Sequence, residues 1–320
     1  MTVAKAFDLA DLIMGAVRTA EDAAIASARL VGRGDQKAAD QAAVDAMRSA
    51  LNAMTMQGRI VIGEGERDEA PMLYIGEAVG TGAGPEVDIA LDPLEGTTLT
   101  AKAMPNALAV LALAPRGGLL HAPDVYMDKI AIGPGYAEGT VDLDLSPSEN
   151  AKRLAEAKGV ALAGLTVCVL DRPRHAEILN DLRASGVRVA LIPDGDVAGV
   201  INTTDAKTGV DLYIGRGGAP EGVLAAAALR CVGGFMQGRL TFRNEDERGR
   251  ARRIGVDDLD RKYALTDLAS GDDIIFCAAG VTDGGLVAGV KAETGRVITE
   301  TLVMTARDRS VRWVRTARPN

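Results

Sequence analysis

Residues 87–98 read Val-Asp-Ile-Ala-Leu-Asp-Pro-Leu-Glu-Gly-Thr-Thr. The first five are mostly apolar, and an apolar run of this length bounded by turn residues is typical of a buried strand. The sequence therefore predicts that Asp92 and Glu95 lie where a strand ends, which is where α/β folds bind their ligands. Pro93 fixes its own φ and restricts the backbone of Asp92, so the first carboxylate is held in place.

The three residues after Glu95 offer groups that bind phosphate. Gly96 lets the backbone approach a bulky anion, and Thr97 and Thr98 supply hydroxyl and N–H groups at a predicted helix start. Together with the two carboxylates, they describe a site for a metal ion and a phosphate. Asp, Pro, Glu and Gly are also common in exposed turns, so this stretch alone leaves an acidic surface turn equally open.

The composition is that of an ordinary globular protein. The 320 residues suffice for two packed lobes or one large α/β body, and 47% hydrophobic with 25% charged residues argues against disorder. A net charge of −8 argues against nucleic acid as a partner, although bound divalent cations would still allow a phosphorylated substrate. The sequence shows neither an apolar run of membrane-spanning length nor a signal-peptide pattern, so we expect a cytoplasmic location and no membrane partner.

Histidine and cysteine contribute little to the predicted chemistry. His121 and His175 are the only histidines, which excludes a histidine-rich metal centre. Cys168, Cys231 and Cys277 are far apart and lack the spacing of a zinc site. We therefore expect buried thiols without a disulfide framework.

Two acidic features precede the strand at 87–91. Helices are predicted over the first thirty residues and over 37–56, and Asp40 shares the apolar face of the second helix with Val44. A carboxylate there is either a helix-start residue or a metal ligand that faces inward. A short strand over 59–62 leads into residues 63–69, which contain four acids and two glycines. That segment is either a solvated loop or a cation site.

The rest of the chain alternates predicted strands and helices. The predicted elements are strands at 107–114 and 128–132, a strand–helix–strand unit at 165–170, 176–184 and 187–192, a helix beginning near 217–222, an exposed charged excursion at 240–262, and a β-meander from Asp273 with a turn at 293–295. The proline- and serine-bearing stretch 140–150 is the predicted lobe boundary. It separates an N-terminal lobe, 1–150, with most of the acidic motifs from a C-terminal α/β lobe, 151–320.

Together these segments resemble the class II fructose-1,6-bisphosphatases. This family belongs to the metal-dependent sugar-phosphatase superfamily, which also contains the inositol monophosphatases. The blocks that carry the resemblance are 32–35 through Asp40, 61–66, 68–77, 92–97, 122–127, 173–175, 192–196 and 217–222. The Asp-Pro-Leu-Glu-Gly-Thr motif marks only the superfamily, whereas the Gly-Glu-Gly-Glu and Gly-Gly-Ala-Pro-Glu-Gly blocks are specific to class II.

The resemblance implies an α/β fold, layered as an αβαβα sandwich of the fructose-bisphosphatase and inositol monophosphatase type, with the site between its lobes. It also implies five metal-binding acids, namely Asp40, Glu64, Asp92, Glu95 and Glu221. Their ligand atoms are all oxygens, which favours Mg²⁺ or Mn²⁺ over Zn²⁺. From its position alone, Glu221 could instead be a first-turn acid that complements a helix dipole.

The resemblance further implies a substrate-binding set and a pair that activates the attacking water. The substrate-binding positions are Glu95, Gly96, Thr97, Tyr126, Arg172, Pro173, Arg174, Asp194, Gly195, Asp196 and Gly218. Asp68 and Thr97 match the water-activating pair. Arg172 and Arg174 could hold the phosphate that is not cleaved, although arginines near a turn are more commonly solvated surface groups.

The implied activity is hydrolysis of the 1-phosphate of D-fructose 1,6-bisphosphate to fructose 6-phosphate in gluconeogenesis, by a homo-oligomer (dimer or tetramer). The alternatives are sedoheptulose 1,7-bisphosphate, alone or in addition, an inositol monophosphate, or a non-catalytic regulator that binds sugar phosphates. Two positions depart from the family pattern. Gln36 stands where the family often has lysine, and Arg216 where it tends to have an apolar residue; neither removes a predicted metal ligand.

Overall fold

The structure is a computed structural model that describes residues 8–65 and 72–319. Its α-helices are α1 (Ile13–Ala28), α2 (Gln36–Asn52), α3 (Thr97–Ala101), α4 (Pro147–Lys158), α5 (Ala176–Ser185), α6 (Asp196–Ile201), α7 (Ala219–Val232), α8 (Glu245–Arg253) and α9 (Leu265–Leu268). Short 3₁₀ helices cover Leu9–Leu12, Leu162–Gly164, Pro173–His175, Asn202–Thr204 and Ala206–Thr208. None of the described helices has the length and apolar character needed to cross a membrane.

The strands within the described ranges form two sheets. They are β1 (Gln57–Ile62), β2 (Ala78–Val79), β3 (Glu86–Glu95), β4 (Leu108–Pro115), β5 (Tyr126–Ile132), β6 (Thr166–Leu170), β7 (Arg188–Ile192), β8 (Leu212–Gly218), β9 (Phe235–Thr241), β10 (Lys262–Ala264), β11 (Ile275–Gly280), β12 (Lys291–Glu293), β13 (Arg296–Thr305) and β14 (Ser310–Pro319). One sheet has the order β12-β13-β11-β4-β3-β1-β2, with β14 beside β13, and the other has the order β10-β9-β5-β8-β6-β7.

The chain divides into two compact units that do not follow the predicted domains 1–150 and 151–320. Unit 1 comprises the described residues up to Leu119 together with those from Gly271 onward, and unit 2 is Leu120–Ser270. The difference arises because β11–β14 return to the first sheet, where β11 pairs with β4. The predicted boundary at 140–150 lies inside unit 2, between β5 and α4.

Unit 1 is a mixed sheet covered on one face by a helix pair. Helix α1 packs against β4, β11 and β13, and α2 packs against β3 and α1. One face of β3 carries Val87, Ile89 and Leu91, which join the core beneath these helices. Strand β3 lies inside the sheet, parallel to β1 and antiparallel to β4. Residues 87–91 are buried on both faces of the strand, which explains why its sequence reads as a nearly continuous apolar run.

Unit 2 has helices on both faces of its sheet. Ile130 and Ile132 of β5 belong to the core that also contains residues of α4 and α5. Because side chains alternate along a strand, Met127 and Lys129 point to the opposite face. There Gly222 of α7 packs against both of them.

Most of the predicted elements are present, and the mixed α/β class is confirmed. Strand β6, helix α5 and strand β7 form the predicted unit with parallel strands, and β12 and β13 flank the predicted turn at 293–295. Unit 1 has one helix layer and one sheet layer, and unit 2 has a sheet layer with helices on both faces. These are the kinds of layer that the predicted αβαβα sandwich contains. The exposed excursion at 240–262 is wrong in part, because α8 lies in it and buries Glu247 and Ala251. Cys168, Cys231 and Cys277 are buried free thiols, as predicted.

Candidate metal and phosphate sites

A β-bulge brings Asp92 and Glu95 together in unit 1. Asp92 pairs with Val110 and Glu95 with Leu108, so three steps along β3 face only two along β4. Residues three apart on a regular strand point to opposite faces, and the extra residue of a bulge removes this opposition. Pro93 lies in the bulge, one of the few sheet positions that tolerate a missing N–H. As a result, the ligand oxygens of Asp92 and Glu95 lie within 4.8 Å of each other.

Gly96 ends β3 and begins α3. Its φ of +88° lies in the left-handed region that side chains with a Cβ rarely adopt, so glycine permits the sharp change from strand to helix. Thr97 is the first residue of the helix. The end of α3 is held by the Gly-Arg-Gly-Asp loop, because the N–H groups of Gly32 and Gly34 donate to the carbonyls of Thr100 and Ala101 at 2.9 and 3.0 Å.

Asp40, Glu64 and Asp92 interact electrostatically in unit 1. Burial, together with the charges of Asp92 and Asp40, raises the pKa of Glu64 to about 8, and burial also raises the pKa of Asp40. Asp35 is the residue that caps α2, accepting the N–H of Ala38 at 3.0 Å, so Asp40 is not the helix-start acid of the alternative interpretation. Repulsion among close carboxylates is relieved by a divalent cation, and an all-oxygen donor set fits Mg²⁺ or Mn²⁺.

Asp68 and Glu221 are two further acids of the predicted site. Asp68 falls in residues 66–71, which are outside the described residues. Glu221 belongs to unit 2, where it occupies the first turn of α7. A Cβ at Gly218 would come within 1.9 Å of Oε2 of Glu221, so the helix start is shaped around this carboxylate.

The predicted substrate-binding residues of unit 2 gather at one edge of its sheet. Strands β6, β7 and β8 are parallel, so their carboxyl ends, which lead into 172–174, 194–196 and Gly218, lie at the same edge. Strand β5 is antiparallel to β8, and its first residue, Tyr126, pairs with Gly218. The topology of the sheet therefore brings together residues from four separate stretches of the sequence.

The arginines at this edge are held by neighbouring loops. Nη2 of Arg172 donates to the carboxylate of Asp194 at 3.0 Å, and its Nη1 also donates to the carbonyl of Pro193. Nε and Nη2 of Arg174 donate to the carbonyl of Arg216 at 3.0 and 2.8 Å. The guanidinium carbon of Arg174 lies 4.9 Å from the centroid of the Tyr126 ring. Arg174 is therefore oriented by neutral groups and keeps its positive charge for a ligand.

Lys129 connects two of these loops, a role that the sequence patterns did not predict. Its side chain is only 1% exposed, and Nζ donates to the carboxylate of Asp196 and to the carbonyl of Gly218, the latter at 2.8 Å. The signal was available in the sequence, because a lysine within the apolar strand 126–132 needs a partner when it is buried.

The two departures from the family pattern are compatible with this arrangement. Arg216 forms a bidentate pair with Asp128, which lies opposite it on β5, at 2.7 and 2.9 Å. The unusual side chain is thus neutralised while the main chain of Arg216 orients Arg174. Gln36 is the first residue of α2, and nothing in the structure assigns it a further role.

Comparison with known proteins places the chain in a family. The profile described as "Bacterial fructose-1,6-bisphosphatase, glpX-encoded" matches residues 10–318. The chain belongs to this family. The resemblance found in the sequence is therefore confirmed, and as a member of the bacterial fructose-1,6-bisphosphatase family the chain is a metal-dependent phosphatase for a phosphorylated sugar.

Curated relatives of this family cover nearly the whole chain. The "D-fructose 1,6-bisphosphatase class 2/sedoheptulose 1,7-bisphosphatase" of Synechococcus sp. (strain JA-2-3B'a(2-13)) is 46% identical over 324 aligned residues, which span 94% of this chain and 93% of the relative. The protein of the same name from Prochlorococcus marinus (strain NATL1A) is 45% identical over 318 aligned residues, 95% of each chain. The solved structure of an inositol monophosphatase from Anabaena (Nostoc) sp. PCC 7120 covers 60% of this chain and 71% of its own at 14% identity, and its TM-score of 0.32 is too low to carry an argument.

Proposed function

We propose that this chain hydrolyses the 1-phosphate of D-fructose 1,6-bisphosphate to fructose 6-phosphate and phosphate, with Mg²⁺ or Mn²⁺ as the cofactor. The observation that carries the proposal is the group of mutually repelling carboxylates around the end of β3, in a chain of this family. When bound, a divalent cation supplies charge that offsets the transferring phosphoryl oxygens and lowers the pKa of water.

The proposed metal ligands are Asp40, Glu64, Asp92, Glu95 and Glu221. Four of them belong to unit 1. The charges of Asp92 and Asp40 both raise the pKa of Glu64, so these three acids interact electrostatically. Glu221 is proposed from its place in the class-specific Gly-Gly-Ala-Pro-Glu-Gly block, at the start of α7.

The phosphate that is not cleaved is proposed to bind Tyr126, Arg172 and Arg174. Arginine's planar fork suits a phosphate, and Arg174 makes its described side-chain contacts with a carbonyl and a ring, not with an acid. The remaining proposed substrate contacts are Glu95, Gly96, Thr97, Pro173, Asp194, Gly195, Asp196 and Gly218. Asp68 and Thr97 are the proposed pair that removes a proton from the attacking water.

Sedoheptulose 1,7-bisphosphate is the second candidate substrate. The names of both cyanobacterial relatives include this activity, and the two sugars carry the same pair of terminal phosphates. An inositol monophosphate lacks the second phosphate for which the arginines are proposed, and a non-catalytic regulator would not need Thr97 and Asp68. We also propose a cytoplasmic homo-oligomer, a dimer or a tetramer, carried over from the sequence-based prediction.

Phosphate release from a panel of substrates tests the proposal. We expect the protein dialysed against EDTA to be inactive, and Mg²⁺ or Mn²⁺ to restore release from fructose 1,6-bisphosphate. The variant Asp40→Asn should bind the cation more weakly, whereas Asp45→Asn, on the exposed face of the same helix, should bind it like the parent. Full turnover after exhaustive chelation would contradict the metal assignment. Equal kcat/KM for fructose 1,6-bisphosphate and fructose 1-phosphate would contradict the substrate assignment.

A further inference from the structure

Tyr126 is flanked by a second arginine that the predicted substrate set does not include. The guanidinium carbon of Arg243 lies 5.4 Å from the centroid of the Tyr126 ring, and that of Arg174 lies 4.9 Å from it. Both distances are within the range of cation–π contacts. Two positive charges therefore meet at one ring, at the sheet edge where the phosphate-binding residues of unit 2 gather.

Strand pairing places Arg243 at this edge. Strand β9 is antiparallel to β5, and Tyr126 pairs with Thr241, the last residue of β9. Arg243 follows two residues later, so it emerges beside the same end of β5. No sequence motif of the resemblance includes this position, because residues 217–222 are its last matching block.

Glu247 holds Arg243 in one orientation. Its carboxylate accepts the backbone N–H of Arg243 at 2.7 Å and also binds the guanidinium group. Glu247 is only 1% exposed and lies in the first turn of α8, where Asn244 caps the helix through the N–H of Glu247 at 2.9 Å. A buried carboxylate that binds both the backbone and the side chain leaves the arginine little freedom, while 63% of that side chain remains exposed to a ligand.

Both arginines can donate hydrogen bonds to an anion. Among the described residues, no carboxylate forms a salt bridge with Arg174, whose polar contact is the carbonyl of Arg216. Arg243 forms its salt bridge with Glu247, and Asp124 is the other carboxylate whose charge acts on it. The exposed side chain of Arg243 still has N–H groups to donate beside Arg174. A phosphate group carries nearly two negative charges and accepts several charge-assisted hydrogen bonds, which suits two guanidinium groups beside a phenol.

We infer that Arg243 is a third cationic contact for the phosphate that is not cleaved, and that Glu247 is its positioning residue. The inference rests on the proposed function, since it assigns a specificity-determining residue to the same substrate. In this role, Arg243 distinguishes bisphosphates from monophosphates, although it lies outside the sequence blocks that carry the family resemblance.

The variant Arg243→Gln tests the inference against a matched control. We expect kcat/KM for fructose 1,6-bisphosphate to fall by about tenfold to a hundredfold, mainly through KM, because a charge-assisted contact is lost. The kcat/KM for fructose 1-phosphate should change far less. Arg248→Gln is the control, because Arg248 lies in α8 and stacks at 5.3 Å on Phe242 instead of Tyr126. Arg243→Lys keeps the charge and should restore part of the loss.

Two outcomes would overturn the inference. One is an unchanged kcat/KM for the bisphosphate, and the other is an equal loss for both substrates in a variant whose thermal unfolding matches that of the parent. If the parent releases no phosphate from any sugar phosphate, the proposed function fails by itself. In that case, calorimetric titration with fructose 6-phosphate tests the inference about Arg243. We expect Arg243→Gln to bind this ligand more weakly than Arg248→Gln, and equal binding would overturn the inference.

Discussion

Thr97 is the residue at which the predicted chemistry can be tested most directly. It opens α3 immediately after Gly96, so its hydroxyl and N–H lie at the end of the acidic strand β3. Threonine is a weak base by itself, and the proposed acceptor of its proton is Asp68. The sequence identifies both residues by motif, while only Thr97 has a described position.

We expect Thr97→Ser to keep much of the parental kcat, because the hydroxyl group survives. Thr97→Ala should lower kcat by about 10² to 10⁴, the usual cost of removing a group that transfers a proton. Calorimetric titration with Mn²⁺ should show parental metal binding in both variants. Thr98→Ala removes the neighbouring hydroxyl and serves as the control. A near-parental kcat in Thr97→Ala would show that the relay through this residue is wrong.

At the scale of elements, His175 joins the ends of two strands. One ring nitrogen, Nδ1, lies 2.7 Å from the carbonyl of Leu170 at the end of β6, and Nε2 accepts the N–H of Arg216 in β8 at 2.8 Å. A carbonyl can only accept and an amide N–H can only donate, so the ring is neutral with its proton on Nδ1. Protonation of Nε2 would place two donors face to face and separate the strands that orient Arg174.

Stability should therefore depend on the charge of His175. Burial is the main cause that lowers the pKa of His175 below its usual 6.5. The hydrogen bonds to Leu170 and Arg216 oppose this shift, and the charges of Arg174 and Arg216 add to it. The unfolded chain binds this proton first as the pH falls. The contribution of the neutral ring to stability is thus complete above pH 6.5 and is lost as the pH falls from there towards the folded-state pKa.

Urea unfolding at a series of pH values checks this expectation. The difference in free energy of unfolding between the parent and His175→Gln should stay constant above pH 6.5 and shrink as the pH falls below it, with a slope of at most about 1.4 kcal/mol per pH unit for one proton. His121 is present in both proteins and cancels. A difference that stays constant below pH 6.5 as well would show that His175 keeps its ordinary pKa in the folded protein.

At the scale of the whole molecule, unit 1 is built from both ends of the chain. Strand β11 lies between β4 and β13, and its residues Ile275, Cys277 and Ala279 are part of the core under α1 and α2. A chain that ends at Ser270 would expose the full edge of β4 and remove part of this core. Strand β14, in contrast, pairs only with β13 at the edge of the described sheet.

Two truncated chains distinguish the contribution of β11–β13 to the stability of unit 1 from that of β14. We expect a chain ending at Ser270 to lose the cooperative unfolding of unit 1, with rapid proteolysis within residues 8–119. A chain ending at Ala306, which removes β14 and keeps β11–β13, should lose much less stability. Limited proteolysis with mass spectrometry and circular dichroism would measure both. Protease-resistant residues 8–119 in the shorter chain would contradict the assignment of β11–β13 to the unit 1 core.

By itself, the sequence determined the buried strand at 87–91, the carboxylates and turn residues that follow it, and the family. These features depend on residue type and local spacing, which a chain displays before it folds. Only the tertiary structure decided that β11–β14 return to the first sheet, that Lys129 neutralises Asp196, and that Arg243 stands beside Tyr126. The reason is that strand pairing joins residues tens to hundreds of positions apart, and its order within a sheet is set by the packing of whole faces, which no local pattern specifies.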